Sequence, residues 1–276
     1  MLKNLLVTRH KPLKWALIVI SYLFIGIFIL LPVITIFIEA FSKGVGFYIK
    51  ALTAKEAISA LKLTLIVSLI VVFCNVIFGL CSAWCISKFE FRGKNLILTL
   101  IDIPFAVSPI ISGLIYILLF SPNNAFGAFL LDHDIKIIFA LPGIVIATIF
   151  VTFPIITREL LTLMEAQGSD EEQAAMLLGS SGLYCFFRIT VPKIKWGLLY
   201  GVLLCTARSM GEFGAVSVVS GHIRGLTNTL PLYVESLYNE YDFVGAFAVA
   251  SISTIFAFVT LIIKITSNEH QVRKYK

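Results

Sequence analysis

The sequence is poor in charge. Only 14% of its 276 residues are Asp, Glu, Lys or Arg, against about 25% in soluble domains. A chain so short of ionic groups does not read as a soluble globular domain. Histidine is scarce too. His10, His133, His222 and His270 all lie outside the long apolar runs, so an intramembrane enzyme built on a histidine base or a metal set has no residues to use. The five cysteines are Cys74, Cys81, Cys85, Cys185 and Cys205. Cys81 and Cys85 share a helix face but lack the further ligands a metal site needs. They read as small residues for helix packing, and no disulfide framework is implied. No G-x-x-x-x-G-K-[ST] run exists: Gly93-Lys94-Asn95 lacks the preceding glycine. The chain is therefore not expected to hydrolyse ATP, to be an enzyme, or to hold a metal or cofactor. Internal repeats, low-complexity segments and a small-residue cleavage site after the first apolar run are missing as well.

Apolar residues are abundant. They make up 58% of the chain, and the mean hydropathy is +0.95. The expected class is an all-α polytopic membrane helical bundle, with the bilayer as solvent. Six runs are long enough to cross about 30 Å of hydrocarbon, near residues 16–38, 61–86, 97–120, 138–157, 197–220 and 243–265. They form one membrane domain over 16–265, between an N-terminal tail (1–15) and a C-terminal tail (266–276). Pro104 and Pro109 favour kinks in the third run. The net charge of +6 forms no nucleic-acid patch and follows topology instead. Lys3, Arg9, Lys11, Lys14, Lys88, Arg92, Lys94, Arg158, Arg188, Lys193, Lys195, Lys264, Arg273, Lys274 and Lys276 collect on one side of the membrane. Only Lys43, Lys50, Lys55, Lys136 and Arg224 collect on the other, and Lys62 and Arg208 fall within runs. The positive-inside bias puts both termini in the cytoplasm, together with the loop 158–196.

That loop is the most informative segment. A connection between spans needs only a few residues, and this one runs from Thr157 to Trp196 with helix signals of its own. Ser169 with Glu172 fits a capping box. Asp170 and Glu171 suit the positive end of a helix dipole. The helix should run to about Leu178 and stop at Gly179, too short to span. Ala174 and Ala175 leave room for a second surface to approach. The segment Leu183 to Ile189 is aromatic, and Pro192 opens the next run. A helix lying on the bilayer is the plainer reading, but the face is acidic rather than basic.

The loop resembles the motif-bearing loop of bacterial ATP-binding cassette importer permeases. That motif reads Glu-Ala-Ala, three residues, Gly, nine residues, Ile, any residue, Leu-Pro. Here Gln173-Ala174-Ala175, Gly179, Ile189 and Pro192 keep the spacing, with Gln173 replacing glutamate, Glu172 beside it, and Val191 replacing leucine. Three further stretches are similar to the W-type (CysW) permeases of sulfate/thiosulfate importers: DIPFAVSPIISGLIYILL (102–119), RELLTLMEAQGSDEEQAAMLLG (158–179) and the run from Arg208 to Phe247. Molybdate permeases share the pattern Arg-x-x-Gly-Glu-Phe-Gly. Gly221 to Gly225 and Thr227-Asn228-Thr229-Leu230-Pro231 favour the sulfate branch. The resemblance implies a type I importer permease (MetI-like) fold in a bacterial inner membrane, forming half of a pore that works by alternating access. It also implies the partners: a second homologous permease, two ATPase subunits gripping a coupling helix in the loop 170–192, and a periplasmic sulfate-binding protein.

Read on their own, Arg208 and Glu212 are four apart on one face of the fifth run. They are either a mutually neutralising pair or part of an anion's route. Ser108, Ser112 and the carbonyls freed by Pro104 and Pro109 are further candidates for that route. Gly211 and Gly214 permit close helix approach. Asp102 is expected to cap or to pair with Arg92 or Lys94. His222 and Arg224 sit in an outer loop, exposed to solvent or to a solute-binding protein, and Asn239, Glu240 and Asp242 form a polar lead-in to the last run. An ion-coupled secondary transporter would also explain Arg208 and Glu212, but it gives the long loop no task.

Overall fold

Transferred into lipid, a backbone must satisfy its own hydrogen bonds, so apolar runs of this length become helices. The computed structural model describes residues 11–274. Residues 1–10, 275 and 276 lie outside it, and with them most of the N-terminal tail, His10 and Lys276. The expectation of an all-α chain holds, with no strand among the described residues. A π-helical turn, Gly26–Leu30, joins α1 (Lys11–Ile25) to α2 (Leu31–Ala40). There follow α3 (Val45–Thr53), α4 (Lys55–Lys88), α5 (Lys94–Ala106), α6 (Pro109–Phe120), α7 (Ala125–Asp132), α8 (Leu141–Gln167), α9 (Asp170–Leu177) and α10 (Gly182–Cys185). A second π turn, Phe186–Thr190, leads into α11 (Val191–Met210), then α12 (Gly214–Val219), α13 (Leu230–Asn239) and α14 (Phe243–Lys274). The expected C-terminal tail thus continues α14 as far as Lys274.

The core is the crossing of α4 and α8. Gly79 makes it close: a Cβ there would lie 2.9 Å from the Ile156 side chain. Buried Ala83, Ile86, Ile156, Leu160, Ile194 and Cys205 join α4, α8 and α11 into one apolar cluster. Lipid supplies little hydrophobic drive between helices, so small residues and polar contacts carry more of the association. The Asn75 amide is such a contact. It donates to Thr152 Oγ1 at 2.7 Å and to Cys205 Sγ at 3.4 Å, tying the same three helices at a buried point. Farther along α4, Thr64 Oγ1 accepts the Leu230 backbone N–H at 2.8 Å, which docks α13. From Lys14 onward, helix α1 is exposed almost all round, whereas α2 lies against α14.

The six expected runs are only partly six helices. Among the described residues, four helices meet the length and apolarity of a span: Lys14–Ala40, Lys55–Lys88, Leu141–Gln167 and Phe243–Ile263. The third run is a bent pair instead, α5 and α6 meeting at 107°. Pro104 is accommodated inside α5, and the chain turns at Val107 and Ser108. The physical reason is Pro109, whose ring drives the preceding residue out of the helical region; Ser108 sits at φ −58°, ψ 133°. The fifth run is likewise split, with α11 ending at Met210 and α12 starting at Gly214. These two breaks meet. A Cβ on Gly214 would lie 2.9 Å from Pro109, and one on Gly113 would lie 2.8 Å from the Ala215 carbonyl oxygen.

Candidate functional site: the knob between α8 and α11

Helix α9 stands clear of the bundle as a short knob. It stops where expected: Gly179 takes φ +93°, and the Gly179 and Ser180 N–H groups cap the Met176 and Ala175 carbonyls at 3.0 Å each. A left-handed residue at this point is the usual glycine stop. The knob's tip is apolar. Leu177 and Leu178 are each 89% exposed, and Met176, Leu183, Tyr184 and Phe187 are exposed beside them. Six large apolar groups exposed in one loop make a patch of the kind that marks an interaction surface. Gln173, Ala174 and Gly179 are exposed next to it, Ala175 and Ile189 are half-buried, and exposed Pro192 lies in the first turn of α11.

The expected capping box does not form. Ser169 Oγ accepts no backbone N–H; it takes the Gln173 side-chain amide instead, at 2.7 Å. Glu172 is also not a surface contact. It is 7% exposed, and its carboxylate turns inward to Lys88 Nζ at 3.1 Å and to Thr190 Oγ1, which donates at 3.0 Å. Lys88 was visible only as one more positive charge, and Thr190 gave no signal. The pull is electrostatic: a buried ammonium offers a carboxylate more than a helix N-terminus in water does. The same ammonium donates to the Gly168 carbonyl at the end of α8. Burial by itself would push the Glu172 carboxyl up. The hydrogen bonds from Lys88, from its own backbone N–H and from Thr190, with the Lys88 charge, outweigh this and hold it below the ordinary carboxylate range. Its second oxygen, Oε2, is buried without a hydrogen-bond partner. On the rim, Lys193 and Glu171 pair at 2.7 Å. Trp84 packs on Phe186, with ring centroids 4.8 Å apart, fixing the π turn to α4.

The residues proposed for a solute route lie around the two breaks. Arg208 lies in the last turn of α11, and Glu212 lies beyond the helix, in the turn before α12. They are thus not on one helix face as expected, yet Arg208 Nη1 and Glu212 Oε2 still approach to 2.8 Å, off hydrogen-bonding geometry. Glu212 is 1% exposed at its side chain and Arg208 is 42% exposed. Glu212 Oε1 also accepts the Ala215 N–H at 3.1 Å, capping α12. Ser108 is exposed at the bend. Ser112, by contrast, is buried and gives its hydroxyl to the Pro109 carbonyl at 2.7 Å. Asp102 pairs with Arg158, through a bond to Nε at 2.7 Å, and not with Arg92 or Lys94. Arg158 lies on α8, across a helix crossing that local spacing does not reveal. Arg224 pairs with Glu240, and Asp242 caps α14 by accepting the Gly245 N–H at 3.1 Å. Among the described residues no cluster of three metal-ligating side chains exists.

Comparison with known proteins agrees with this architecture. Residues 75–267 match the family described as "Binding-protein-dependent transport system inner membrane component". The sulfate transport system permease protein CysW of Escherichia coli (strain K12) is 48% identical over 91% of this chain and 86% of its own length. The CysW protein of Synechocystis is 46% identical, with 91% of both chains covered. A sulfate transport system permease protein CysT of Salmonella typhimurium is 33% identical over 84% of each. In solved structures, a chain of a bacterial ABC transporter involved in the import of alginate superposes with a TM-score of 0.78, at 16% identity, over 99% of this chain and 100% of its own. That likeness fixes the fold as the MetI-like fold of ABC importer permeases. The chain belongs to the binding-protein-dependent transport system inner membrane components, a family of transport subunits rather than enzymes, and within it to the CysW-type permeases.

Proposed function

We propose that this chain is half of the translocation pore of an ATP-driven sulfate/thiosulfate importer. A separate ATPase subunit grips it at the α9 knob. The observation that carries the reading is the knob itself: exposed Leu177 and Leu178 at the tip, on a helix whose Glu172 is locked to α4 through Lys88. An apolar tip on an anchored base suits a protein groove better than water. Sulfate follows from the CysW-named relatives at 46–48% identity. The second half of the pore is a CysT-like permease, as the 33% identical relative suggests. Two ATPase subunits and a periplasmic sulfate-binding protein complete the assembly. The chain sits in the inner membrane with both termini and the knob in the cytoplasm. ATP binding draws the two ATPase subunits together and the knobs follow. The bundle then alternates between outward and inward access.

The test is reconstitution with the second permease and the ATPase, followed by ATP-dependent uptake of radiolabelled sulfate. Gly179→Glu is the informative variant. A Cβ at Gly179 meets nothing within 4 Å, so the bundle and its membrane insertion stay intact, while a left-handed backbone and a new charge disturb the docking face. Uptake is expected to be lost. Unchanged uptake in this variant would refute the docking role.

A further inference from the structure

The knob is joined to the bundle through a glycine at each end. Gly168, at φ +68°, precedes it, and Gly179, at φ +93°, follows it. With glycine's wide φ/ψ freedom at both joints, the orientation of the eight-residue helix rests on its side-chain contacts. Lys193–Glu171 at 2.7 Å and Thr190–Glu172 at 3.0 Å hold it to the start of α11, and the tie that reaches α4 and α8 is one ammonium. Lys88 is the last residue of α4, a helix of 34 residues that forms the core crossing with α8. Its Nζ holds Glu172 in the knob at 3.1 Å and the Gly168 carbonyl at the end of α8. Through the shared Glu172 Oε1, it also meets Thr190 at the start of α11. Both ionic side chains are about nine-tenths buried, at 11% and 10% exposure, so water does not loosen the joint. The opposite part of α4 docks α13 through Thr64 and packs Ala57 and Ala60 against α13 and α14.

We infer that Lys88 is the positioning residue that makes the knob, α4 and α8 move as one body, converting ATPase motion into reorientation of the spans. This rests on the docking role proposed above and adds the residue that transmits it. Deleting the ammonium should leave the apolar tip in place and the ATPase bound. Hydrolysis then continues while transport fails to follow, which a merely structural role would not produce.

The test uses the complete reconstituted importer and reads ATP hydrolysed per sulfate imported. In Lys88→Met this ratio should rise about 5-fold or more, the lower end of allosteric couplings, with the ATPase still co-purifying. Lys88→Arg should stay near the parent ratio, and the reversed pair Lys88→Glu/Glu172→Lys should recover part of the loss. Glu172→Gln keeps the shape and the Thr190 hydrogen bond. It carries the test if Lys88→Met fails to assemble, with a smaller rise in the same direction expected, since the amide oxygen still accepts from Lys88. An unchanged ratio in Lys88→Met or Glu172→Gln, with the parent coupled, overturns the role of Lys88 and leaves the docking role standing. A parent complex that neither binds the ATPase nor imports sulfate on ATP overturns both.

Discussion

Removing the Glu212 carboxylate perturbs two contacts at the meeting of the broken crossings. Oε1 caps α12 through the Ala215 N–H, and Oε2 faces Arg208. Loss of an N-cap costs about 1 kcal/mol. Loss of one partner from a fully buried ion pair costs about 3–5 kcal/mol, and from an exposed pair about 0–1 kcal/mol. Arg208 is 42% exposed, so its share in Glu212→Ala falls between these limits, at about 1–2 kcal/mol. Glu212→Ala should therefore destabilise by about 2–3 kcal/mol in all. Glu212→Gln keeps an oxygen for the cap and should lose only the ionic part. Arg208→Ala is the harshest change. It strands a carboxylate with 1% exposure, at about 3–5 kcal/mol. Adding Glu212→Gln to Arg208→Ala should recover part of that, a non-additive result for groups in contact. Thermal unfolding of the purified chain in detergent gives the order. The reasoning fails if Arg208→Ala is milder than Glu212→Ala, or if the double variant is simply the sum of the singles.

Other expectations follow from the same geometry. Gly113→Ala places a Cβ 2.8 Å from the Ala215 carbonyl oxygen, whereas Gly46→Ala meets nothing within 4 Å. The first should lower the melting temperature by the equivalent of about 1–3 kcal/mol, and the second should leave it unchanged or slightly raised. Acid should loosen the knob. The Glu172 carboxyl lies below its ordinary value of 4.5 when folded, so its contribution is complete above that value and is lost as pH falls through the lowered one. The protection factors over residues 169–192, which remove the intrinsic pH dependence of exchange, should fall as pH drops through the lowered Glu172 value in the parent but not in Glu172→Gln.

The parts legible in the sequence are those governed by local chemistry. Gly179 ends α9 because only a residue tolerant of positive φ fits there, and a glycine after a polar helix announces it. Lengths of apolar sequence likewise located the main helices. Long-range pairing was not legible. Glu172 left its place in the capping box for Lys88, and Asp102 chose Arg158 over nearer cations, because ion pairs form across helix contacts that spacing along the chain does not encode. The bend at Ser108 was half visible: Pro109 signalled a disturbance, but hydropathy over 97–120 does not distinguish a kink from a turn of 107°. The split at Gly211 to Phe213 was half visible too: Glu212 between Gly211 and Gly214 marked a polar point in the fifth run, but i,i+4 spacing from Arg208 read as one continuous helix.

The docking role of the knob is most directly tested by cysteine labelling at Leu177. Leu177→Cys is made in a chain whose five native cysteines are replaced, because Cys81 and Cys85 are exposed themselves. It is then treated with a membrane-impermeant thiol reagent in inside-out vesicles stripped of ATPase. Labelling should be rapid from the cytoplasmic side and blocked when the ATPase subunit is added back. Labelling only from the outer side, or equal labelling with and without the ATPase, would contradict a motor gripping this helix.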